Sequence, residues 1–243
     1  SRDPVAWAKK CVESYGADAI ALKLISTDPN SLNRPAEEAA KTAKKVAEAV
    51  NVPIIVFGTN NPEKDMEVLR KVSEECEGMN IAIGPVAEKN YKQLGAGAIG
   101  FKQTVIASTP IDVNLAKQLN ILLGNLGVPE DKIIVDPTTG GVGYGLEYTY
   151  SVMERDRMAA LTQEDDKLAY PIMCDVGSEV WKVKEAKMGK GEAPQYGDPK
   201  KRGVLMEAIT ATVLLLAGAN ILIMRHPEAI QLVRSITKDL MTA

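Results

Sequence analysis

Residues 132–151, KIIVDPTTGGVGYGLEYTYS, are the most informative stretch of the chain. A β-rich run ends in Asp136-Pro137, four glycines follow within six positions, and an amphipathic helical pattern begins at Leu146. This order presents backbone groups and a carboxylate at the carboxyl end of a strand, where α/β proteins bind ligands. One glycine would suffice to turn the chain. The pattern therefore predicts a ligand-facing loop, with a purely structural turn as the alternative.

The rest of the chain alternates between strand and helix patterns. Strands are predicted at 19–26, 54–59, 81–84, 103–107, 132–136, 171–175 and 221–225. Helices are predicted at 4–15, 36–50, 62–77, 88–97, 112–126, 146–161, 178–188 with 204–217, and 227–241. In the helix at 112–126, the spacing of Leu115, Leu119, Leu122 and Leu126 predicts the buried face.

The two kinds of connection differ in composition. Helix-to-strand joints are short and contain helix-stopping residues, as in Gly127-Val128-Pro129, whereas strand-to-helix joints are polar and follow every strand. We interpret the chain as a (β/α)8 TIM barrel forming one domain over residues 1–243, with its first strand upstream of residue 1. The start at Ser1 without Met suggests a C-terminal portion of a longer chain. An open doubly wound sheet is the alternative.

Composition excludes several classes of protein. The net charge of −3, with acids and bases interspersed, gives no basis for nucleic-acid binding. Cys11, Cys76 and Cys174 are too far apart for an iron-sulfur or zinc motif and indicate a reduced, cytoplasmic protein. The apolar run 208–224 is interpreted as a helix followed by a strand, so no membrane span is expected. His226 is the single histidine, which excludes a zinc site built on two histidines.

Several polar residues on the predicted rim could carry chemistry. Asp112, Asn114 and Asp136 could hydrogen-bond a heterocycle such as a pterin, or they could cap a helix and brace a loop. His226 could act at the rim or merely pack at a turn. Lys23 could be a Schiff-base lysine, although an ion pair within the barrel is favoured. The charged stretch 154–157 on the next helix is interpreted as a solvated or partner-facing surface.

The chain resembles the small subunit of the corrinoid iron-sulfur protein, whose archaeal counterpart is the delta subunit of the acetyl-CoA decarbonylase/synthase complex. The residues that carry this resemblance are the Asp-Pro-Thr-Thr-Gly-Gly-Val-Gly-Tyr-Gly-Leu-Glu-Tyr motif at 136–148, Ser-Val-Met-Glu-Arg at 151–155, Asp-Val-Asn-Leu at 112–115 and Met-Arg-His-Pro-Glu-Ala at 224–229. The similarity extends from Asp3 to the C-terminus. Longer family members have sequence ahead of Asp3, including a first strand.

The resemblance implies a non-catalytic barrel subunit that covers a corrinoid (cobalamin). The corrinoid is shared with a large subunit that also carries a [4Fe-4S] cluster, and together the two subunits carry methyl groups between methyltetrahydropterin and acetyl-CoA synthase in the reductive acetyl-CoA pathway. Implied partners are this large subunit in a heterodimer, acetyl-CoA synthase, CO dehydrogenase and a methyltransferase. No metal ligands are expected on this chain. A pterin-binding methyltransferase barrel with its own activity is the competing interpretation.

The expected corrinoid-facing residues lie at the ends of three predicted strands. Backbone groups that allow close approach and short polar side chains suit the amide fringe of a corrin ring. The predicted contacts are Asp112, Asn114, Asp136, Thr138, Thr139, Gly140, Gly141, Gly143, Tyr144, Arg225 and His226.

Overall fold

The computed structural model describes residues 3–242, so Ser1, Arg2 and Ala243 lie outside the described residues. The chain divides into two compact units. The first contains the chain up to Thr109 together with Ala116–Val135, and the second contains Pro110–Leu115 and the chain from Asp136 onward. A single domain over 1–243 stays a prediction, as does a barrel strand upstream of residue 1.

The first unit is built on a parallel sheet of five strands in the order β1-β2-β3-β4-β5. Ile20 pairs with Ile54, and Ile55 pairs with Ala82, in register. Every residue of β2 is buried, as expected of a parallel strand that is covered on both faces. The strands are β1 (Ile20–Lys23), β2 (Ile54–Phe57), β3 (Ala82–Val86), β4 (Thr104–Ser108) and β5 (Ile133–Asp136).

Helices follow the strands in the chain. Asp3 and Asn61 cap two of these helices, since the Asp3 carboxylate accepts from the Ala6 N–H at 3.1 Å and the Asn61 side chain accepts from the Lys64 N–H at 3.1 Å. Proline occupies the first position of both helices, where no N–H is needed. The helices are α1 (Pro4–Glu13), α2 (Ala36–Ala49), α3 (Pro62–Glu75), α4 (Tyr91–Phe101) and α5 (Val113–Leu126).

Gln103 is a fully buried polar side chain that joins three elements of the first unit. Its Oε1 accepts from the Ile81 N–H at 2.9 Å, and its Nε2 donates to the carbonyl oxygens of Cys76 at 2.8 Å and Ser73 at 3.3 Å. The amide thus satisfies backbone groups at the end of α3 and before β3 that would otherwise be buried without partners.

The second unit contains a two-stranded parallel sheet in which Met173 pairs with Ile221 and Cys174 with Leu222. The Gly177 N–H donates to the Ile223 carbonyl at 2.8 Å and continues the pairing past the strand ends. The elements are α6 (Leu146–Thr162), β6 (Met173–Cys174), α7 (Val176–Val180), α8 (Lys184–Lys187), α9 (Pro199–Leu216), β7 (Ile221–Leu222) and α10 (Pro227–Thr242).

Residues 3–242 contain seven strands in the order that the sequence predicts, each within its predicted segment or displaced by no more than two residues. The helix predicted at 178–188 is wrong, because α7 and α8 are separated at Trp181–Val183. Trp181, at this break, packs against Gly203 of α9, where a Cβ would lie 2.5 Å from the indole ring.

One further prediction on the helices needs correction. The buried face of α5 consists of Ala116, Leu119, Asn120 and Leu123, whereas Leu115 is exposed. The predicted apolar run does divide into α9, which ends at Leu216, and β7. No helix within residues 3–242 combines the length and the apolar content needed to cross a bilayer.

The charged stretch of α6 is also not a uniform surface. Glu154 and Arg155 are exposed as predicted, but Arg157 points inward. Its guanidinium donates to the Gly218 carbonyl at 2.7 Å and the Tyr170 carbonyl at 3.2 Å, and it bonds the Asn220 side chain, which accepts from the Ile172 N–H. Arg157 therefore holds together the segments that lead into β6 and β7.

Asp156 is the unexpected residue of this helix. Its side chain is 1% exposed, and neither carboxylate oxygen has a hydrogen-bond partner among the described residues. Burial raises the pKa of Asp156 to about 7, while the neighbouring charge of Arg157 acts in the opposite direction. The sequence suggested a solvated position because charged residues flank Asp156 on both sides. The tertiary packing of α6 buries Asp156 instead.

We predict that Asp156 makes the protein less stable as the pH rises. Because the native state holds this proton more tightly than the unfolded chain does, the free energy of unfolding falls between about pH 4 and about pH 7 and levels off above. Asp156→Asn imitates the protonated acid. The free energy of unfolding of Asp156→Asn, measured by urea denaturation, should increase relative to that of the wild type by about 3 kcal/mol between pH 5 and pH 8.

The exposed Asp131→Asn serves as the matched control for the same amide substitution, and it should show no such trend. A constant difference between wild type and Asp156→Asn from pH 5 to pH 8 would contradict the prediction, because it would mean that Asp156 ionises equally in the native and unfolded states.

Candidate functional site

The glycine loop, defined here as residues 136–145, begins at the end of β5. The Asp136 carboxylate accepts from the Thr138 N–H at 3.0 Å, and the Tyr144 and Gly145 N–H groups both donate to the Gly141 carbonyl, at 2.9 and 2.7 Å. Thr138 has a φ of +63°, which is uncommon for a residue with a side chain. The loop is thus a hydrogen-bonded structure with one defined backbone course.

Two threonines hold the glycine loop from behind. Thr149 of α6 is buried, and its hydroxyl accepts from the Gly140 N–H at 3.0 Å and lies 3.2 Å from the Thr138 carbonyl, to which it can donate. The Thr139 hydroxyl accepts from the Asp175 N–H at 2.9 Å and links the loop to the end of β6. The sequence analysis did not identify Thr149, although a buried threonine on the first turn of the following helix is a signal for such a brace.

The glycines of the loop have different roles. Gly141 and Gly143 have φ values of +69° and +90°, and a Cβ at Gly141 would collide with the Gly145 carbonyl. Gly140 lies outside this backbone region, and a Cβ there would meet only Ile111, at an ordinary 3.4 Å. A side chain at position 140 can therefore be tolerated, whereas one at position 141 would deform the loop.

Asp112 and Asn114 lie beside the loop through their neighbour Ile111. One Asp112 oxygen accepts from the N–H groups of Asn114 at 2.8 Å and Leu115 at 3.1 Å, which is the geometry of a helix N-cap for α5. This Asp112 oxygen therefore caps a helix, which is the structural role that the sequence analysis gave as the alternative to ligand binding. Asn114 is exposed and its side chain is available at the surface.

A buried carboxylate that sequence reasoning missed organises the other end of the site. Glu207 of α9 is 0% exposed; it accepts from the Trp181 indole N–H at 2.8 Å, from the His226 N–H at 3.1 Å and from the Arg225 N–H. The Trp181 ring stacks on His226 with ring centroids 6.0 Å apart, and the Arg225 guanidinium lies 6.0 Å from the Trp181 ring. The sequence did contain a signal for this buried carboxylate, because Glu207 is followed in the same helix by the largely apolar run Ile209 to Leu216.

The described part of the second unit joins these groups into one rim. Thr139 bonds the start of α7 at Asp175, and a Cβ at Gly177 of α7 would lie 2.9 Å from the Arg225 nitrogen, so α7 approaches the turn before α10 closely. Tyr144 projects from the glycine loop with 88% of its side chain exposed. The segments that carry these predicted site residues are therefore in contact with one another, but Thr139 itself is buried, and a role in binding stays a prediction.

Two of the three cysteines, Cys76 and Cys174, are buried. Burial raises the pKa of Cys76 to about 11 and that of Cys174 to about 12, which disfavours the thiolate that metal binding and nucleophilic attack require. Within residues 3–242, no three His, Cys, Asp or Glu side chains come together in a group that could hold a metal ion.

Solved structures with a similar fold are dihydropteroate synthases. The Thermus thermophilus enzyme in complex with 6HMPPP superposes with a TM-score of 0.61 at 19% identity over 97% of this chain and 87% of that one. The Xanthomonas albilineans enzyme with 4-aminobenzoic acid gives 0.64 at 14% identity over 98% and 85%. These enzymes are TIM barrels, so the predicted fold class, a (β/α)8 barrel, is confirmed.

Sequence relatives are subunits of one archaeal complex. Acetyl-CoA decarbonylase/synthase complex subunit delta 1 of Methanosarcina thermophila is 40% identical over 98% of this chain, and subunit delta of Methanopyrus kandleri is 40% identical over 95%. The chain spans 55% and 57% of these relatives. The family model for the CO dehydrogenase/acetyl-CoA synthase delta subunit matches residues 2–240, and the chain therefore belongs to that family.

Proposed function

We propose that this chain is the barrel portion of a non-catalytic delta-type subunit that covers a corrinoid held by a larger partner subunit. The observation that carries this proposal is the construction of the glycine loop. Its backbone is fixed by hydrogen bonds to Thr149 and Thr139, while Gly140 is half-buried and Tyr144 is 88% exposed. A fixed backbone without bulky side chains allows close approach of a broad, flat ligand.

The bonding of the polar rim groups supports a binding role over acid–base catalysis. Asp112 and Asp136 each use a carboxylate oxygen to accept from backbone N–H groups, and Glu207 uses both. The His226 ring accepts from the Glu228 N–H at 3.3 Å. A catalytic base must instead reach the proton of a substrate. These groups serve the protein's own turns.

The residues of this chain fit the fringe of a corrinoid but not its metal. Amide groups at the edge of a corrin ring can bond to exposed polar groups such as Asn114 and Arg225, and Tyr144 offers both an aromatic face and a hydroxyl. The buried, protonated thiols of Cys76 and Cys174 do not suit an iron-sulfur cluster. We therefore assign cobalt and the [4Fe-4S] cluster to the partner.

In this proposal the large corrinoid iron-sulfur subunit is the direct partner in a heterodimer. Acetyl-CoA synthase, CO dehydrogenase and a methyltransferase are the further components between which the pair carries methyl groups. The family membership of the chain supports this arrangement, because its relatives are subunits of the acetyl-CoA decarbonylase/synthase complex. Cytoplasmic localisation stays a prediction.

The competing function is a pterin-binding methyltransferase with its own activity. The observation in its favour is the likeness to dihydropteroate synthases, among them a Yersinia pestis enzyme with a pterine-sulfa conjugate. Binding of methyltetrahydropterin by the subunit alone, with methyl transfer to free cobalamin, would establish this alternative. We expect neither binding nor transfer.

Substitution of Gly140 by Leu should weaken docking of the large subunit at least about tenfold, or about 1.4 kcal/mol, without unfolding the chain. The reason is that position 140 belongs to the proposed docking surface, while a Cβ added there meets only Ile111 within the protein. Affinity is measured by titration with the large subunit, and methyl transfer by the visible spectrum of the corrinoid.

Gly100→Leu is the matched control, since Gly100 lies on the exposed face of α4 with open space around it. It should leave docking unchanged. Gly141→Leu is unsuitable as a test because it deforms the loop itself. Normal affinity and normal transfer by a folded Gly140→Leu variant would move the corrinoid-facing surface elsewhere on the subunit.

We also predict that the isolated subunit holds neither iron nor cobalt in stoichiometric amounts. The physical reason is the absence, among the described residues, of a group of three metal-ligating side chains. Elemental analysis of the purified subunit checks this. A stoichiometric metal that survives dialysis against a chelator would refute the assignment of all metal chemistry to the partner.

A further inference from the structure

The connection between β6 and α9 carries a local excess of positive charge. We define residues 182–202 as the basic segment. It has seven Lys and Arg residues and three Asp and Glu residues, a net charge of +4, whereas the whole chain has a net charge of −3. A basic segment in an acidic chain makes the charge distribution strongly asymmetric, which is the condition for electrostatic steering of a partner.

The carboxylates of the basic segment do not neutralise its lysines. Glu192 accepts from the Gly189 N–H at 2.6 Å, and Asp198 caps α9 by accepting from the Lys200 N–H at 2.9 Å. Five lysines of the segment are exposed and have no ion pair among the described residues: Lys184, Lys187, Lys190, Lys200 and Lys201. Their charge is therefore available to an external group.

The basic segment has a fixed conformation in spite of its polar composition. The Arg202 guanidinium donates to five carbonyl oxygens, at distances between 3.0 and 3.2 Å, on residues 185, 188, 193, 196 and 197. Ala186 and Ala193 are buried beneath the segment. A single half-buried cation thus orders the backbone, so the external lysines are presented at a lower cost in loop ordering.

Two of the lysines oppose local stability. Lys200 and Lys201 lie in the first turn of α9, where the helix dipole favours anions and disfavours cations. No carboxylate within the described residues pairs with either lysine. Helix formation therefore does not account for the charge of these two lysines.

The basic segment adjoins the glycine loop. A Cβ at Gly143 would lie 3.7 Å from Val183 of the basic segment and 3.8 Å from Met206 of α9. The surface that the proposed function assigns to partner docking is therefore continuous with the exposed lysines. Tyr144 of the glycine loop and Tyr196 of the basic segment are 88% and 50% exposed, and tyrosine is a residue type that often anchors protein interfaces.

We propose that the basic segment is a docking surface for an acidic protein surface, which it steers onto the adjoining glycine loop. This inference rests on the proposed function and identifies the partner surface by its charge. A protein is favoured over nucleic acid because the chain as a whole is acidic and the lysines are confined to one short segment.

The test is a charge reversal in the full-length subunit that combines Lys187→Glu, Lys200→Glu and Lys201→Glu. The control variant combines Lys9→Glu, Lys41→Glu and Lys45→Glu at exposed positions of α1 and α2. Binding of the purified large corrinoid subunit is followed by stopped flow. At about 20 mM salt the first variant should associate at least about tenfold more slowly than wild type, and the difference should shrink at about 300 mM salt.

The control variant has the same net charge and should associate within about twofold of wild type, because steering depends on the position of the charge. Urea denaturation separates docking from folding: the first variant should be as stable as wild type or more stable, since glutamate suits the first turn of α9. Equal association rates for the two variants would overturn the inference.

Other outcomes separate the two proposals. If Gly140→Leu weakens binding while the charge reversal leaves the association rate unchanged, the proposed docking site is supported and the steering role of the basic segment is contradicted. If wild type does not bind the large subunit at any salt concentration, the proposed function itself fails. Binding of a labelled DNA duplex that the charge reversal abolishes would assign the basic segment to nucleic acid and overturn the inference.

Discussion

The turn after β7 and the candidate site beside it depend on the burial of one carboxylate, Glu207. A charged group removed from water is tolerated only if hydrogen bonds replace its hydration, and Glu207 obtains these from the Trp181 indole and the backbone of Arg225 and His226. The same bonds fix the turn after β7 and the position of the α7–α8 break. Removal of the carboxylate would leave three donors without an acceptor.

A second charged group, the half-buried Arg157, acts on the segments that precede β6 and β7. These strands have only two residues each, so their own ladder contributes few hydrogen bonds. Arg157 compensates by joining the carbonyls of Gly218 and Tyr170 and the side chain of Asn220. Side chains from α6 and α9 thus supply the order that longer strands would supply by backbone pairing.

The surface between these supports is rigid where an ordinary loop would be mobile. Thr149 and Thr139 fix the glycine loop through hydrogen bonds to backbone groups. Arg202 fixes the basic segment in a similar way, because its guanidinium donates to several backbone carbonyls. A rigid backbone with exposed tyrosines and unpaired lysines is suited to docking, because little conformational freedom is lost on binding. This construction is the physical basis for assigning a binding role to the subunit.

The sequence by itself determined the strand and helix order, the glycine loop and the absence of a cysteine motif, because these follow from local periodicity, turn residues and spacing. It could not determine which polar residues are buried. Asp156 stands in a charged stretch, and Glu207 stands on a helix followed by apolar residues. The burial of both carboxyl groups depends on how α6 and α9 pack. The break at Trp181 and the different tolerances of Gly140 and Gly141 also depend on contacts between distant residues, which only the tertiary structure decided.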